Sequence, residues 1–252
     1  MNSPVGPSRG AAKVSVRVGR ATNVLLALAG LALGVPVPAR AADNAGASGS
    51  TRAQIGPTEA KDETTQSAAA LRVADWVAAS GDNGSLPYMI IDKRTASLFL
   101  FNGKRRPLGE APVLIGIAAG DDATPGVGSK RLAEIGPAEK TTPAGRFLAK
   151  YGLAAGRQKV LWVDYAASVA LHSIPKDAAR TERRRQRMLS PTPDDNRITF
   201  GCINVPLAFY NKSVRPLFRK KGGYVYVLPD TKPLEVVFPG LRAQPFVNAA
   251  AP

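Results

Sequence analysis

From Leu86 onward the chain is a series of short apolar runs separated by polar turns. Tyr88–Asp92 (YMIID) and Ser97–Phe101 (SLFLF) read as two strands, and Asn102-Gly103 follows as a hairpin-turn signal. Pro112–Ile117 is a third strand candidate and Gly145–Leu148 opens a fourth. Val160–Asp164 with Ser168–His172 makes a further pair, and Tyr224–Leu228 is the last strand. Between these runs lie a long Gly- and Pro-rich loop over 119–144 and a polar, Arg-rich stretch over 176–197. Helical texture is sparse. A short amphipathic helix is predicted over 66–80 with Leu71, Trp76 and Val77 as anchors, closed by the turn Gly81-Asp82-Asn83-Gly84. A second helix follows Pro206 and runs to about Phe218, with proline near its first position. The pattern predicts a mostly β fold, a β-rich mixed sheet or sandwich with a few short helices, rather than a βαβ alternation.

The first 65 residues have a different texture. Arg9, Lys13, Arg17 and Arg20 precede an apolar run from Val24 to Val35, and Ala39-Arg40-Ala41 fits a small-x-small cleavage site. This is the layout of a secretory signal peptide over 1–41; a permanent membrane anchor is the competing reading, but the run is short for a span of roughly 20 residues. Residues 42–65 are rich in Ala, Gly, Ser and Thr and read as a flexible linker. The expected organisation is therefore signal peptide 1–41, linker 42–65, helix and turn 66–84, a catalytic-type domain 85–230, and a C-terminal tail 231–252. The mature protein is expected in the periplasm or cell envelope, with no stable membrane span after cleavage.

Composition sharpens this picture at two points. The 252-residue chain carries a formal net charge of +15, which suits an anionic surface such as a cell wall, or is simply a solvated basic surface. Nucleic acid is an unfavoured partner, because no DNA- or RNA-binding motif accompanies the charge and the chain is read as exported. The sequence also holds one cysteine and one histidine. An unpaired thiol in an oxidising compartment is either a used group or a buried inert one. If a Cys–His pair exists it must be Cys202 with His172. Gly201 beside Cys202 permits a tight turn that could aim main-chain N–H groups at an oxyanion, and a helix beginning near Pro206 would favour thiolate. A structural zinc site is implausible with these donors, and no cofactor is called for.

Thr199-Phe200-Gly201-Cys202-Ile203-Asn204 resembles the signature of the L,D-transpeptidase (YkuD-like) family: Ser/Thr, His, Gly, Cys, an apolar residue, then often Asn or Arg. Leu171-His172-Ser173-Ile174-Pro175 is similar to the segment that holds that family's catalytic histidine, and Thr142-Pro143-Ala144-Gly145-Arg146-Phe147 to its Thr-Pro-x-Gly-x-Phe element. The three occur in the family's order, and the resemblance covers about residues 86–230. It implies a cysteine acyl-enzyme formed on the third residue, of the diaminopimelate type, of a peptidoglycan tetrapeptide, with loss of terminal D-Ala. Cys202 would be nucleophile and His172 base. The Ser173 carbonyl would orient the ring, Gly201 and Cys202 N–H groups would form the oxyanion pocket, and Asn204 would support the loop. Thr199, Phe200 and Arg197, on the N-terminal side of the cysteine, are candidates for substrate contact. The acceptor implied is a neighbouring stem amine or a wall-attached lipoprotein; a hydrolase of the L,D-carboxypeptidase type and an inactive wall-binding protein share the same pattern. Two departures stand out. Phe200 occupies the place of the histidine before Gly-Cys, and His172 and Cys202 are 202 − 172 = 30 positions apart, more than is usual in the family. The extra length falls in the Arg-rich segment with Arg183, Arg184 and Arg185, which reads as a lid or wall-binding patch, or as a solvated basic face.

Overall fold

A computed structural model describes residues 66–154 and 158–243. The expected signal peptide and linker lie outside these residues. The main feature is an eight-stranded mixed sheet of order β3-β2-β1-β10-β5-β6-β7-β9. Its strands are β1 (Tyr88–Asp92), β2 (Ser97–Phe101), β3 (Pro107–Pro112), β5 (Gly145–Leu153), β6 (Lys159–Asp164), β7 (Val169–Ser173), β9 (Ile203–Val205) and β10 (Gly223–Val227). A separate two-stranded parallel ladder joins β4 (Ile115–Gly116) to β8 (Arg197–Thr199). The single run expected over Pro112–Ile117 is thus divided, with β3 ending at Pro112 and β4 starting at Ile115 in the other ladder. Pro112 lacks an N–H for a continuing ladder, and Val113 N instead donates to Ala96 O.

Strand β5 is the pivot. Its first half pairs with β10 (Ala149 opposite Gly223, Gly145 opposite Val227), and its second half pairs with β6 (Lys150 opposite Trp162, Leu153 opposite Lys159). One half of the sheet, built on β1, β2 and β10, is buried on both faces. Met89, Ile91, Leu98, Leu100, Val225 and Val227 enter one apolar cluster. Tyr88, Ile90, Phe99, Phe101 and Tyr226 enter a second. A strand covered on both faces has no polar face to show, so these segments read as unbroken apolar runs instead of alternating.

The second cluster is roofed by α1 (Ala68–Ser80), which contributes Ala70, Val73, Trp76 and Val77. Ser67 caps its N-terminus, its Oγ accepting from Ala70 N at 3.1 Å, and Gly81 closes it in the left-handed region at φ 71°. Leu71, expected as an anchor, is instead 48% exposed; Val73, on the same face as Trp76 and Val77, takes that role. The segment read as a C-terminal tail is packed as far as it is described. A short helix α5 (Leu234–Val237) and a 3-10 turn (Pro239–Ala243) place Phe238 and Leu241 against Trp76 and Tyr226.

The other half of the sheet is covered on one face by the helical segment 207–218. This consists of α3 (Leu207–Phe209), a π turn (Tyr210–Val214) and α4 (Arg215–Phe218), from which Tyr210, Val214 and Phe218 reach the first cluster. Within the Arg-rich segment one short helix forms, α2 (Arg184–Met188). Among the described residues no helix is long and apolar enough to cross a membrane.

Candidate active site

The site is built where β7 and β9 run side by side. They pair in parallel, with Leu171 opposite Ile203, His172 opposite Asn204 and Ser173 opposite Val205. Directly opposed residues of a ladder share a face, and side chains alternate along each strand. Val169, Leu171, Ile203 and Val205 point into the apolar cluster. His172 and Asn204 therefore share the other face, and Cys202, two residues before Asn204, enters from the same side. The histidine that sequence could pair with the cysteine only by elimination is thus carried on β7, and Cys202 lies immediately before the adjacent β9.

The third sequence element reaches the turn before Cys202 through one hydroxyl. Thr142 Oγ1 donates to Gly201 O at 2.8 Å and accepts from Gly116 N at 2.8 Å. The loop before Cys202 is braced again by Thr199, whose hydroxyl donates to Cys202 O at 2.6 Å and accepts from Gly201 N at 3.2 Å. Gly201 has φ 121°, and a Cβ there would lie 2.7 Å from Thr141 O, so only glycine fits the turn. The Gly201 N–H, expected as an oxyanion donor, is engaged by Thr199 and would have to release or share that bond to act on substrate. Thr199 itself is 2% exposed and turned inward, so it braces the turn instead of facing a substrate. Arg197 also points elsewhere, donating to Asp230 Oδ1 at 2.7 Å. Phe200 stays at the surface, with Lys140 Nζ 3.9 Å from its ring centre, a cation–π contact in the place of a polar imidazole.

The electrostatics define the resting proton state. His172 Nδ1 lies 2.7 Å from Ser173 O. A carbonyl only accepts, so Nδ1 carries the proton and Nε2 presents a lone pair. Burial lowers the histidine pKa below its ordinary value; the Ser173 carbonyl opposes this and the Arg184 charge adds to it. The ring is accordingly neutral near pH 7. Cys202 departs from expectation. Burial raises its thiol above the ordinary value, more than the backbone contact and the Arg184 charge lower it. Its Sγ lies 3.7 Å from Ser168 O, which the S–H can donate to. Both shifts favour a resting thiol and a neutral imidazole, the opposite influence to that expected from a helix after Pro206.

Arg184 was named only as one of three arginines of the basic run and not as a site residue. Its guanidinium donates from Nη1 to Asn204 Oδ1 at 2.8 Å, and from Nε and Nη2 to Glu182 at 2.7 and 3.3 Å. Nothing in the sequence separates it from Arg183 and Arg185, which are exposed. Lys93 was missed as well. It is 1% exposed, and its ammonium contacts Gly120 O, Asp121, Thr142 O and Asp230 at 2.5–3.2 Å. It thereby holds the residue that holds Gly201. No group of three or more His, Cys, Asp or Glu side chains suited to a metal ion occurs among the described residues.

No family model matches the chain, and no curated protein does. Among solved structures, a variant of the helical cell shape determining protein Pgp2 from Campylobacter jejuni is similar at 14% identity over 66% of this chain and 58% of that one, with TM-score 0.40. An L,D-transpeptidase from Mycobacterium smegmatis is similar at 15% identity over 56% of this chain and 58% of that one, with TM-score 0.31. The catalytic domain of the Enterococcus faecium L,D-transpeptidase is similar at 18% identity over 56% of this chain and 96% of that domain, with TM-score 0.33. The chain thus spans a little over half the length of the first two, and the solved structures it is similar to include L,D-transpeptidases.

Proposed function

We propose that the protein is an exported L,D-transpeptidase that acts on peptidoglycan stem peptides through a Cys202 acyl-enzyme. The observation that carries this reading is the convergence of three separated sequence elements on one turn. The Thr142 element bonds Gly201, and the His172 strand lies beside the strand that follows Cys202. These are the elements that resemble the L,D-transpeptidase family, and they meet in the arrangement acyl transfer needs: a thiol, a neutral base with a fixed tautomer, and a glycine turn.

In the proposed mechanism the stem carbonyl of the third residue is seated against Cys202. His172 Nε2 takes the thiol proton as sulfur attacks, giving a tetrahedral oxyanion. The N–H of Cys202, and that of Gly201 once released from Thr199, would bond the oxyanion. As the C–N bond breaks, the imidazolium returns the proton to the departing D-Ala amine, leaving a thioester. An amine from a neighbouring stem or a wall-attached lipoprotein then attacks the thioester, loses a proton to His172, and Cys202 recovers its proton. The basic surface suits the anionic wall.

The test is product analysis with a purified disaccharide-tetrapeptide. Release of D-Ala and appearance of a cross-linked dimer, both lost in Cys202→Ala, is the expected outcome. Release of D-Ala with only tripeptide formed would make water the acceptor and the protein a carboxypeptidase. No release at all would leave a wall-binding role.

A further inference from the structure

Arg184 lies in the segment that lengthens the path from His172 to Cys202, yet it is not a surface cation. Its side chain is 13% exposed, against 31% for its partner Glu182. Its Nη1 bonds Asn204 Oδ1, and Asn204 stands opposite His172 in the ladder and two residues after Cys202, which sets Arg184 beside the reacting pair. An arginine has five N–H donors. Glu182 and Asn204 take three of them among the described residues, so two remain. Asn204 supplies the second observation. It is fully buried, and its Nδ2 has no hydrogen-bond partner. The assignment of that amide is fixed by Arg184, which can only donate and so turns the carbonyl oxygen toward itself. A buried N–H donor without a partner is costly and marks a place where an acceptor is to arrive. Two unpaired guanidinium donors and an unpaired, buried amide donor on the His172 face form a receptor for an oxyanion of fixed charge. Bidentate pairing of a guanidinium with a carboxylate is the strongest match for that donor set. Glu182 holds the guanidinium in place while leaving its remaining donors open.

We propose that Arg184, seconded by Asn204, is the carboxylate receptor of the site, taking a substrate carboxylate within one residue of the scissile carbonyl. The inference rests on the acyl-transfer reading for the identity of the peptide. Adjacent Cα atoms are about 3.8 Å apart, and Arg184 bonds the residue that stands opposite His172 and two positions after Cys202, so the carboxylates considered are those of the acyl residue and the leaving residue. In a tetrapeptide stem these carry two free carboxylates, that of the diaminopimelate side chain and that of the terminal D-Ala.

Binding of synthetic peptides to Cys202→Ala protein, measured by calorimetry, tests this without requiring turnover. Three ligands are compared: the tetrapeptide acid, its C-terminal amide, and the acid with lysine in place of diaminopimelate. The acid is expected to bind about tenfold more tightly than one of the other two, and which of them is weaker identifies the carboxylate. Adding R184Q is expected to abolish that preference, and R184K, which keeps the charge without the fork, to retain only part of it. Equal affinity for all three ligands, no binding of any, or a preference that survives R184Q would overturn the proposal. A carboxylate preference in a protein that releases no D-Ala would keep the receptor and remove the transpeptidase reading. Turnover that is indifferent to both carboxylates would do the reverse.

Discussion

Two charged clusters flank the Cys202 turn, and they are built to opposite specifications. On one side Lys93, Asp121, Asp230 and Arg197 form a balanced set of two cations and two anions. Asp121 accepts from the N–H groups of Asp230, Thr231 and Lys232 and from the Thr231 hydroxyl. Burial alone would raise its carboxyl, but those donors hold it far below the usual carboxylate range. None of the polar side-chain atoms of this set is left buried without a partner. On the other side Arg184 and Glu182 meet Asn204, whose amide nitrogen is unsatisfied. A fully satisfied cluster has nothing left to offer a ligand and acts as a fastener. An incomplete one is less stable than it could be, and the missing partner is what a substrate provides.

The contrast is broken most forcefully at Lys93. Lys93→Met leaves two buried carboxylates facing each other and is expected to destabilise the fold by about 3–5 kcal/mol, read as a lower urea midpoint. The equivalent change on the other side, Arg184→Gln, is expected to shift stability by about 1 kcal/mol or less, because Glu182 is partly solvated. Equal losses at the two sites would erase the distinction. His172→Ala should do the opposite of the Lys93 change, lowering the rate of acyl-enzyme formation by about a thousandfold, roughly 4 kcal/mol of barrier, with the urea midpoint nearly unmoved.

These expectations mark how far the sequence could be read. The strands were legible because residues such as Ile90, Phe99 and Val225 are buried on sheet faces, and burial on both faces writes a continuous apolar run. The packed end of the chain was not, since Leu234, Phe238 and Leu241 fall in two short turns started by Pro233 and Pro239, with no sustained helical period. Cys202 and His172 could be singled out because each is unique and sits in a motif. Lys93 and Arg184 carry no such mark. A lysine after a strand and one arginine in a basic run look solvated, and only tertiary partners distant in sequence, such as Asn204 for Arg184 and Thr142 and Asp230 for Lys93, show otherwise. The thiolate expectation weighed a helix end and left out the partial burial of Cys202, which pushes its thiol the other way.

Smaller effects sharpen the link between the fastener and the turn. Thr142 stands between them, accepting from Lys93 at its carbonyl and donating to Gly201. Thr142→Val is expected to cost about 1–2 kcal/mol of stability and to slow acylation, since Gly201 O loses its donor and the turn loosens. An unchanged acylation rate in a folded variant would remove Thr142 from the positioning chain. The smallest effect is in pH. His172 must be neutral to accept the thiol proton, and its pKa lies below the ordinary value, so acylation is expected to hold through pH 6.5 and fall only at lower pH. The sign for stability is the same: the unfolded chain protonates its histidine first, so His172 favours unfolding as pH drops below 6.5, and His172→Gln should flatten that part of the stability curve. An inflection above 6.5 would contradict the buried, neutral ring.

The central claim is that Cys202 becomes acylated with His172 as its base. Intact mass after exposure to a carbapenem tests it most directly. The account predicts one adduct on the parent protein, none on Cys202→Ala, and a strongly slowed one on His172→Ala. An adduct that persists in Cys202→Ala, or a parent protein that gains no mass while remaining folded, would contradict it.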